Sequence, residues 1–383
     1  MDDIIYLDNA ATSFPKPEEV YLAIEKTMRT QGSNPGRSGH KGAIEAGRVI
    51  FEARENISKL IEIEDPLRIA FTMNATEALN TAIKGLLKKG DHVVTTSMEH
   101  NSVLRPIKAL ENIGVSSTIV QCSERGELDP KKIEKAVRKN TKLIAVTHAS
   151  NITGTIMPIN EIGVIAKKTG VCFLVDAAQT AGSYDVKVNE NNIELLAIPG
   201  HKGLLGPQGT GVLYIAEGVE VTQLKEGGTG SRSEDLLQPT FMPDKYESGT
   251  PNTLGIAGLS KGVEYILNKG IENIRDHEES LAEHFILELE KIEEVKIYGL
   301  RKRGKHAAVV SINIGDEDSA EISYILDKVY NIATRAGLHC APLAHKTIGT
   351  FEQGTVRFSF GIFNTHEEVE RVIRAIKEIT SQL

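Results

Sequence analysis

A chain of 383 residues is too long for one core of ordinary size, so two subdomains are the first expectation. Its 40% hydrophobic and 25% charged residues are the make-up of a soluble globule. The 44 Lys+Arg against 52 Asp+Glu leave a formal charge of −8, the wrong balance for a protein that wraps nucleic acid. No apolar run approaches the roughly 20 residues that span a bilayer, and the start, Met1-Asp2-Asp3-Ile4-Ile5, lacks the basic stretch of a signal peptide. Three scattered cysteines, Cys122, Cys172 and Cys340, make no disulfide framework, so a reduced cytoplasmic setting is expected, with neither nucleic acid nor membrane as partner.

From Glu18 to about Leu60 the apolar residues recur at three and four, the helical period, across a Gly/Pro-rich turn at Gln31–Gly36. Short β-branched runs then alternate with amphipathic stretches. Strands are expected at Arg68–Met73, His92–Thr96, Ser117–Gln121, Leu143–Thr147 and Val171–Val175. Helices are expected between them, at Thr76–Leu87, Ser102–Ile113, Asp129–Arg138 and Ile159–Lys168. Leu195–Ile198 and Val212–Ala216 read as closing strands of the same sheet. Seven strands, apolar on both faces and spaced mostly by helices, imply an α/β domain with a mostly parallel, helix-covered sheet. Gly227–Asn252 has no periodicity and reads as a long functional loop. Helices at Thr253–Asn268 and Ile271–Glu290 lead into a second composition. It has strands at Ala307–Ile314 and Gly354–Phe360 and helices at Ala320–Tyr330 and His366–Ile379. A boundary near residue 260 is expected, followed by an α+β lid of about 120 residues.

Ligands of such sheets sit beyond the carboxyl ends of the strands. After the first strand, Asn74-Ala75-Thr76-Glu77 opens a helix whose free N–H groups suit a phosphate, although Thr76 also reads as a plain N-cap. After the second, His100 can be an aromatic platform, a general base or a structural loop histidine. Asn151 follows the fourth strand, as a hydrogen-bonding group or a turn former. Asp176 follows the fifth, where an unpaired carboxylate is costly and needs a partner. Pro199-Gly200-His201-Lys202-Gly203 then sets a lysine in a Gly-flanked turn, suited to Schiff-base chemistry. In this order the parts match pyridoxal phosphate. It wants a helix N-terminus for the phosphate, a carboxylate for the pyridinium nitrogen, an amine for the aldehyde, a flat group to stack on and a donor for the phenolate. Thr76, Asp176, Lys202, His100 and Gln179 fill those roles in turn.

The chain resembles the fold-type I pyridoxal-phosphate enzymes of the class V aminotransferase family and, within it, the cysteine desulfurases. The resemblance runs from Tyr6-Leu7-Asp8-Asn9-Ala10-Ala11-Thr12-Ser13 through Asn34, Arg37, Thr76-Glu77, Met98-Glu99-His100, Ser150-Asn151, Val175–Gln179 and Gly200-His201-Lys202. It continues through Glu247–Asn252, Arg335–Pro342 and Val356-Arg357-Phe358-Ser359. It implies a large domain over 15–260 and a small one from 1–14 and 261–383 carrying the cysteine loop. It also implies that Lys202 holds the cofactor and moves the Cα proton, that Asp176 keeps the pyridine nitrogen protonated, and that His100 stacks on the ring. Asn151 and Gln179 would lie near the substrate carboxylate and the phenolate oxygen, and Thr76, the Ala75 backbone and His201 at the phosphate. Thr250 would reach the partner's phosphate in a homodimer. Arg357 would grip the substrate carboxylate with Arg335 nearby. Two positions depart from the pattern. Pro199 stands where relatives carry Ser or Thr, and Asn74-Ala75-Thr76 where Gly-Thr-Thr is common, so the Gly227–Arg232 loop becomes a candidate replacement contact.

Cys340 discriminates among the reactions of this scaffold. It sits in a Gly/Pro-bounded loop between a helix and the strand of Arg357, with Arg335 and His339 near enough in sequence to favour a thiolate. Cys122 and Cys172 lie in apolar runs and read as structural. The motif Arg-x-Gly-x-His-Cys resembles the group II desulfurases. It implies that L-cysteine gives up sulfur to Cys340 as a persulfide, leaves as alanine, and that an acceptor protein takes the sulfur on. The alternatives are a selenocysteine lyase acting on L-selenocysteine and, in another class, a non-catalytic chalcogen carrier. The carrier needs a lost Lys202 or Asp176, and both are present. A metal site built from His339, Cys340 and His345 lacks the paired spacing of zinc sites.

Overall fold

The computed structural model describes residues 4–36 and 39–382, so Arg37 and the first three residues lie outside the described residues. The chain opens with β1 (Ile5–Tyr6), α1 (Glu18–Thr30) and α2 (Lys41–Leu60). Strands and helices then alternate as β2 (Ile69–Thr72), α3 (Ala75–Leu86), β3 (His92–Thr96), α4 (Asn101–Glu111) and β4 (Ser116–Val120). The series continues with α5 (Pro130–Ala136), β5 (Thr141–Thr147), α6 (Ile159–Thr169) and β6 (Cys172–Asp176). Two strands, β7 (Leu195–Pro199) and β8 (Gly211–Ile215), complete a seven-stranded sheet ordered β2-β8-β7-β6-β5-β3-β4. Only β8 runs against the others. Alternate residues enter opposite cores, with Val93, Leu143, Leu174 and Leu213 on one face and Val94, Ile144, Phe173 and Val212 on the other. That two-sided burial is why each strand reads as a continuous apolar run.

Residues 216–252 form neither helix nor strand, in keeping with their Gly, Pro, Ser and Thr content. They lead into α7 (Thr253–Lys269), which packs across α1 and α2. Glycine permits that approach. A Cβ at Gly258 would stand 2.8 Å from Ile24, and one at Gly262 only 2.4 Å from the Leu204 carbonyl. The boundary expected near residue 260 therefore falls inside a continuous helix whose Ile256, Leu259, Val263 and Ile266 belong to the large core. The changeover lies within α8 (Ile271–Leu289), where Ile274 joins the first core and Leu281 and Phe285 the second.

The second unit contains β9 (Val295–Tyr298), β10 (Val309–Ile314), α9 (Ser319–Tyr330), β11 (Ile332–Ala333) and β12 (Arg335–Gly337). After them come α10 (Pro342–Ile348), β13 (Thr355–Ser359) and α11 (His366–Thr380). An antiparallel sheet ordered β12-β13-β10-β9 packs on α8 and α11, with the Phe285 ring centroid 4.9 Å from that of Phe358. The N-terminus joins this unit, because Ile5 pairs with Ile332 in parallel register and Ile5 and Leu7 enter its core. Among the described residues no helix is long and apolar enough to cross a membrane.

Candidate active site

The carboxyl ends of the large sheet place three residues side by side. Asp176 ends β6, its register partner Thr147 ends β5, and Pro199 ends β7. Together with Ala75, Thr76, His100, Gln179, His201 and Lys202 they line one cavity of about 210 Å³. Arg335, His339 and Arg357 close it from the second unit, and Asn151 lines it as well. Of the described residues given catalytic, cofactor or substrate roles by the resemblance, Cys340 and Thr250 do not line it.

Asp176 is buried and accepts one hydrogen bond, from the Ala178 N–H at 3.0 Å. Burial pushes its carboxyl above the usual carboxylate range, and the Lys202 ammonium pulls it back. Lys202 is the reciprocal case: burial lowers its amine to about 8, with Asp176 opposing. The turn that carries Lys202 is held from the N-terminal segment. Ser13 Oγ donates to the Lys202 carbonyl at 2.8 Å, and Lys16 Nζ donates to the His201 carbonyl at 2.8 Å. Gly200 is required there, since a Cβ would lie 2.1 Å from Thr210 Oγ1.

At the opposite end of the cavity the cap of α3 is Asn74, whose side chain accepts from the Glu77 N–H; Thr76 is not the cap expected from the sequence. The Thr76 hydroxyl instead meets Ser102 Oγ at 2.7 Å, and Ser102 bonds the His100 ring at Nδ1. His100 is neutral, lowered to about 4 by burial and by the Lys202 charge. Because its Nδ1 accepts the Ser102 N–H, the ring proton resides on Nε2. The Gly227–Arg232 loop lines a separate surface cavity with Leu236 and Leu237, so within one chain it does not replace the contact missing at Pro199. Thr250 accepts from the Asn34 amide and lines another cavity, beside Met73 and Glu77.

These residues fit pyridoxal phosphate. His201 Nδ1 is buried at the cavity without a hydrogen-bond partner, an orphan that an acceptor or donor of the cofactor would satisfy. The first N–H groups of α3 have no partner within the helix and face anions favourably. Asp176 offers a carboxylate, Lys202 an amine and His100 a flat neutral ring on the same walls.

Arg357, 1% exposed, is held by Asp8 Oδ1 at 2.7 Å from Nη2 and by the Asn151 carbonyl at 3.1 Å from Nη1, while its Nε has no partner. The Asn151 amide, expected near the substrate carboxylate, donates to the His339 carbonyl at 2.8 Å. It thereby fixes the cysteine loop, which lies between β12 and α10 rather than between a helix and the strand of Arg357. Cys340 is exposed, its carbonyl accepts the Asn101 N–H at 2.8 Å, and Arg335 Nη2 lies 3.8 Å from its sulfur. His339 cannot supply a second cation there, because burial and the Arg357 charge lower it to about 2. Cys122 is buried and pushed up to about 11, and burial raises Cys172 further, so both thiols are inert by the same physics.

Three contributors escaped the sequence reading of individual residues. Asp8 pairs with Arg357, and Ser102 links Thr76 to His100. Glu99 lies fully buried beside Asp176, with Oε1 accepting from the Thr96 hydroxyl and Oε2 from the Thr147 N–H. Glu99 stands three residues beyond the end of β3, a strand with two threonines and a histidine, so it lacked the signal that selected Asp176, a carboxylate directly after an apolar run.

The profile of the Aminotransferase class-V family matches residues 5–372. The sheet, the second unit and the paired lysine and carboxylate define a fold-type I enzyme, and the chain belongs to the class-V aminotransferase family. Several of its relatives are desulfurases by name. A probable cysteine desulfurase of Methanothermobacter thermautotrophicus is 37% identical over 98% of this chain and 95% of its own length. The apo structure of a cysteine desulfurase from Thermococcus onnurineus NA1 is similar at a TM-score of 0.91 and 35% identity, covering 100% of this chain and 96% of that one. The cysteine desulfurase CsdA of Escherichia coli is similar at a TM-score of 0.90 and 26% identity, with the same coverage of 100% and 96%.

Proposed function

We propose that this protein is a pyridoxal-phosphate-dependent cysteine desulfurase that moves the sulfur of L-cysteine onto Cys340 and releases L-alanine. The observation that carries the reading is an exposed thiol on a loop pinned, through the Asn101 N–H and the Asn151 amide, to the rim of the cavity that holds Lys202, Asp176 and Arg357. Arg357 binds the substrate carboxylate. One hydrogen on Nη1 and one on Nη2 are engaged, which leaves Nε–H and one hydrogen on each Nη; the side-on grip assigned to the carboxylate uses Nε–H and the second Nη2 hydrogen. That grip also satisfies the buried Nε. Lys202, an amine lowered to about 8, takes and returns the proton at Cα near neutral pH. When bound, pyridoxal phosphate supplies an electron sink conjugated to Cα, and Asp176 keeps its ring nitrogen protonated.

The transfer balances without an outside oxidant. The substrate Cβ–S bond breaks, an S–S bond forms at Cys340, and Cβ gains a proton to become the alanine methyl. The transferred sulfur is oxidised to the persulfide level while Cβ is reduced. Exposure at the loop tip leaves the persulfide open to an acceptor protein or thiol. Thr250 and Asn34, exposed and away from the cavity of their own chain, are assigned to a second copy's site in a homodimer.

The test is mass spectrometry of the loaded enzyme mixed with L-cysteine and no added thiol, paired with Cys340→Ala. One extra sulfur on the Cys340 peptide, and loss of alanine release in the variant, are expected. The variant should keep part of its turnover of L-selenocysteine, whose carbon–selenium bond needs less help. Alanine from L-cysteine at the parent rate in Cys340→Ala sinks the reading.

A further inference from the structure

Behind the cysteine loop runs a chain of three side chains that the reaction above does not use. His339 Nε2 bonds the Arg335 carbonyl at 2.9 Å, its Nδ1 meets His345 Nε2 at 3.4 Å, and His345 Nδ1 meets Thr350 Oγ1 at 2.7 Å. All three residues are buried, and the two imidazoles stack with centroids 5.6 Å apart and planes 15° from parallel. The proton positions follow one from another. A carbonyl only accepts, so the His339 proton is on Nε2 and a neutral His339 accepts at Nδ1. His345 must then donate from Nε2 and accept at Nδ1, and the Thr350 hydroxyl must donate. Charge does not disturb this order, because burial with the Arg357 charge holds His339 neutral and burial alone lowers His345 to about 4.

The chain matters because of where it ends. His339 and Cys340 both adopt left-handed backbone, at φ 49° and 58°, a conformation side chains other than glycine hold only when their surroundings impose it. The His339 ring ties the apex of the loop back to Arg335, the first residue of β12, and the guanidinium of Arg335 lies 3.8 Å from the Cys340 sulfur. The opposite side of His345 is fixed through Thr350, whose N–H also donates to the His345 carbonyl at 2.9 Å. We propose that His345, oriented by the Thr350 hydroxyl, is a positioning residue: it locks His339 in one tautomer and so fixes the left-handed turn that presents Cys340. This rests on the reading of Cys340 as the sulfur-accepting thiol.

The test compares Thr350→Val, which keeps shape and removes the donor, with Thr350→Ser, which keeps the donor. His345→Gln, which can still donate and accept, is the third variant. On the unloaded protein, amide hydrogen exchange over residues 338–345 should speed up by about tenfold in Thr350→Val and return to the parent rate in Thr350→Ser. On the loaded enzyme, kcat for alanine release from L-cysteine should fall by about tenfold in Thr350→Val, with KM within about twofold of the parent, because Arg357 and Lys202 are untouched. Thr350→Ser and His345→Gln should recover most of kcat. Unchanged exchange in Thr350→Val overturns the proposal, as does faster exchange with kcat intact, or a serine variant no better than valine. A parent that never carries sulfur on Cys340 overturns the desulfurase reading instead, and the exchange comparison still decides whether the two imidazoles fix the turn.

Discussion

Replacing Asp8 with Asn tests how the carboxylate clamp is kept in place. Arg357 is 1% exposed and its cationic head sits between the Asp8 carboxylate and the Asn151 carbonyl. Removing one partner of a buried ion pair leaves a charge without compensation, which costs about 3–5 kcal/mol. The Asp8 side chain is 22% exposed, so water screens part of the pair and the lower end applies. Asn also keeps an acceptor oxygen in reach, so about 2 kcal/mol is expected, or close to thirtyfold in the folding equilibrium. Urea unfolding of the unloaded protein would show the loss as a lower midpoint at unchanged slope. A second arm makes the cause specific. The substrate carboxylate restores an anion to Arg357, so saturating L-alanine should raise the midpoint of Asp8→Asn more than that of the parent. A variant within about 0.5 kcal/mol of the parent, or one that gains no more from L-alanine, would refute the argument.

Two further outcomes follow from the buried ionisable groups. Burial raises Glu99 to about 8, against an ordinary value of 4.5, so between those values the folded chain holds a proton that the unfolded chain has lost. Stability therefore falls as pH rises across that window, and Glu99→Gln, which carries no charge to desolvate, should flatten the fall; equal urea midpoint differences between parent and variant at about pH 5 and pH 8.5 would count against it. Borohydride reduction of the protein loaded with pyridoxal phosphate should fix the label on the Lys202 peptide and on no other, and Lys16, also lowered to about 8 by burial, is the lysine whose labelling would contradict the assignment.

The large domain was legible because its strands are buried on both faces. Nothing polar interrupts Val171–Val175 or Leu195–Ile198, and the structure places strands within a residue or two of those bounds. The same apolar context singled out Asp176, since a carboxylate at the end of such a run needs a partner, while Lys202 was singled out by its Gly-flanked turn three residues beyond β7. Local chemistry was less legible. Asn74 and Thr76 are both good caps, and only the Glu77 N–H bond to Asn74 separates them. Helix α10 begins at Pro342 directly behind the cysteine, so its first turn reads as part of a Gly/Pro loop. The helix expected over Thr253–Asn268 is α7, and position 260 lies inside it, where Gly255, Gly258 and Gly262 let the helix sit close against its neighbours. Asp8 and Arg357 are 349 residues apart, and no local pattern connects them.

That distant pair has a consequence for how the site is assembled. Residues 8–16 form a strap between the two units, and its two ends do different work. Asp8 holds the arginine of the second unit that grips the carboxylate, and Ala10 N–H donates to Ser359 Oγ on the same strand. Ser13 and Lys16 hold the carbonyls of the His201-Lys202 turn in the first unit. The amine that moves the Cα proton and the guanidinium that fixes the carboxylate are thus registered against one short stretch of backbone. A rigid link of this kind matters because proton transfer needs reacting atoms within about 3–3.5 Å, while binding alone tolerates more. Loosening the strap at Ser13 or Lys16 should therefore lower kcat more than it raises KM.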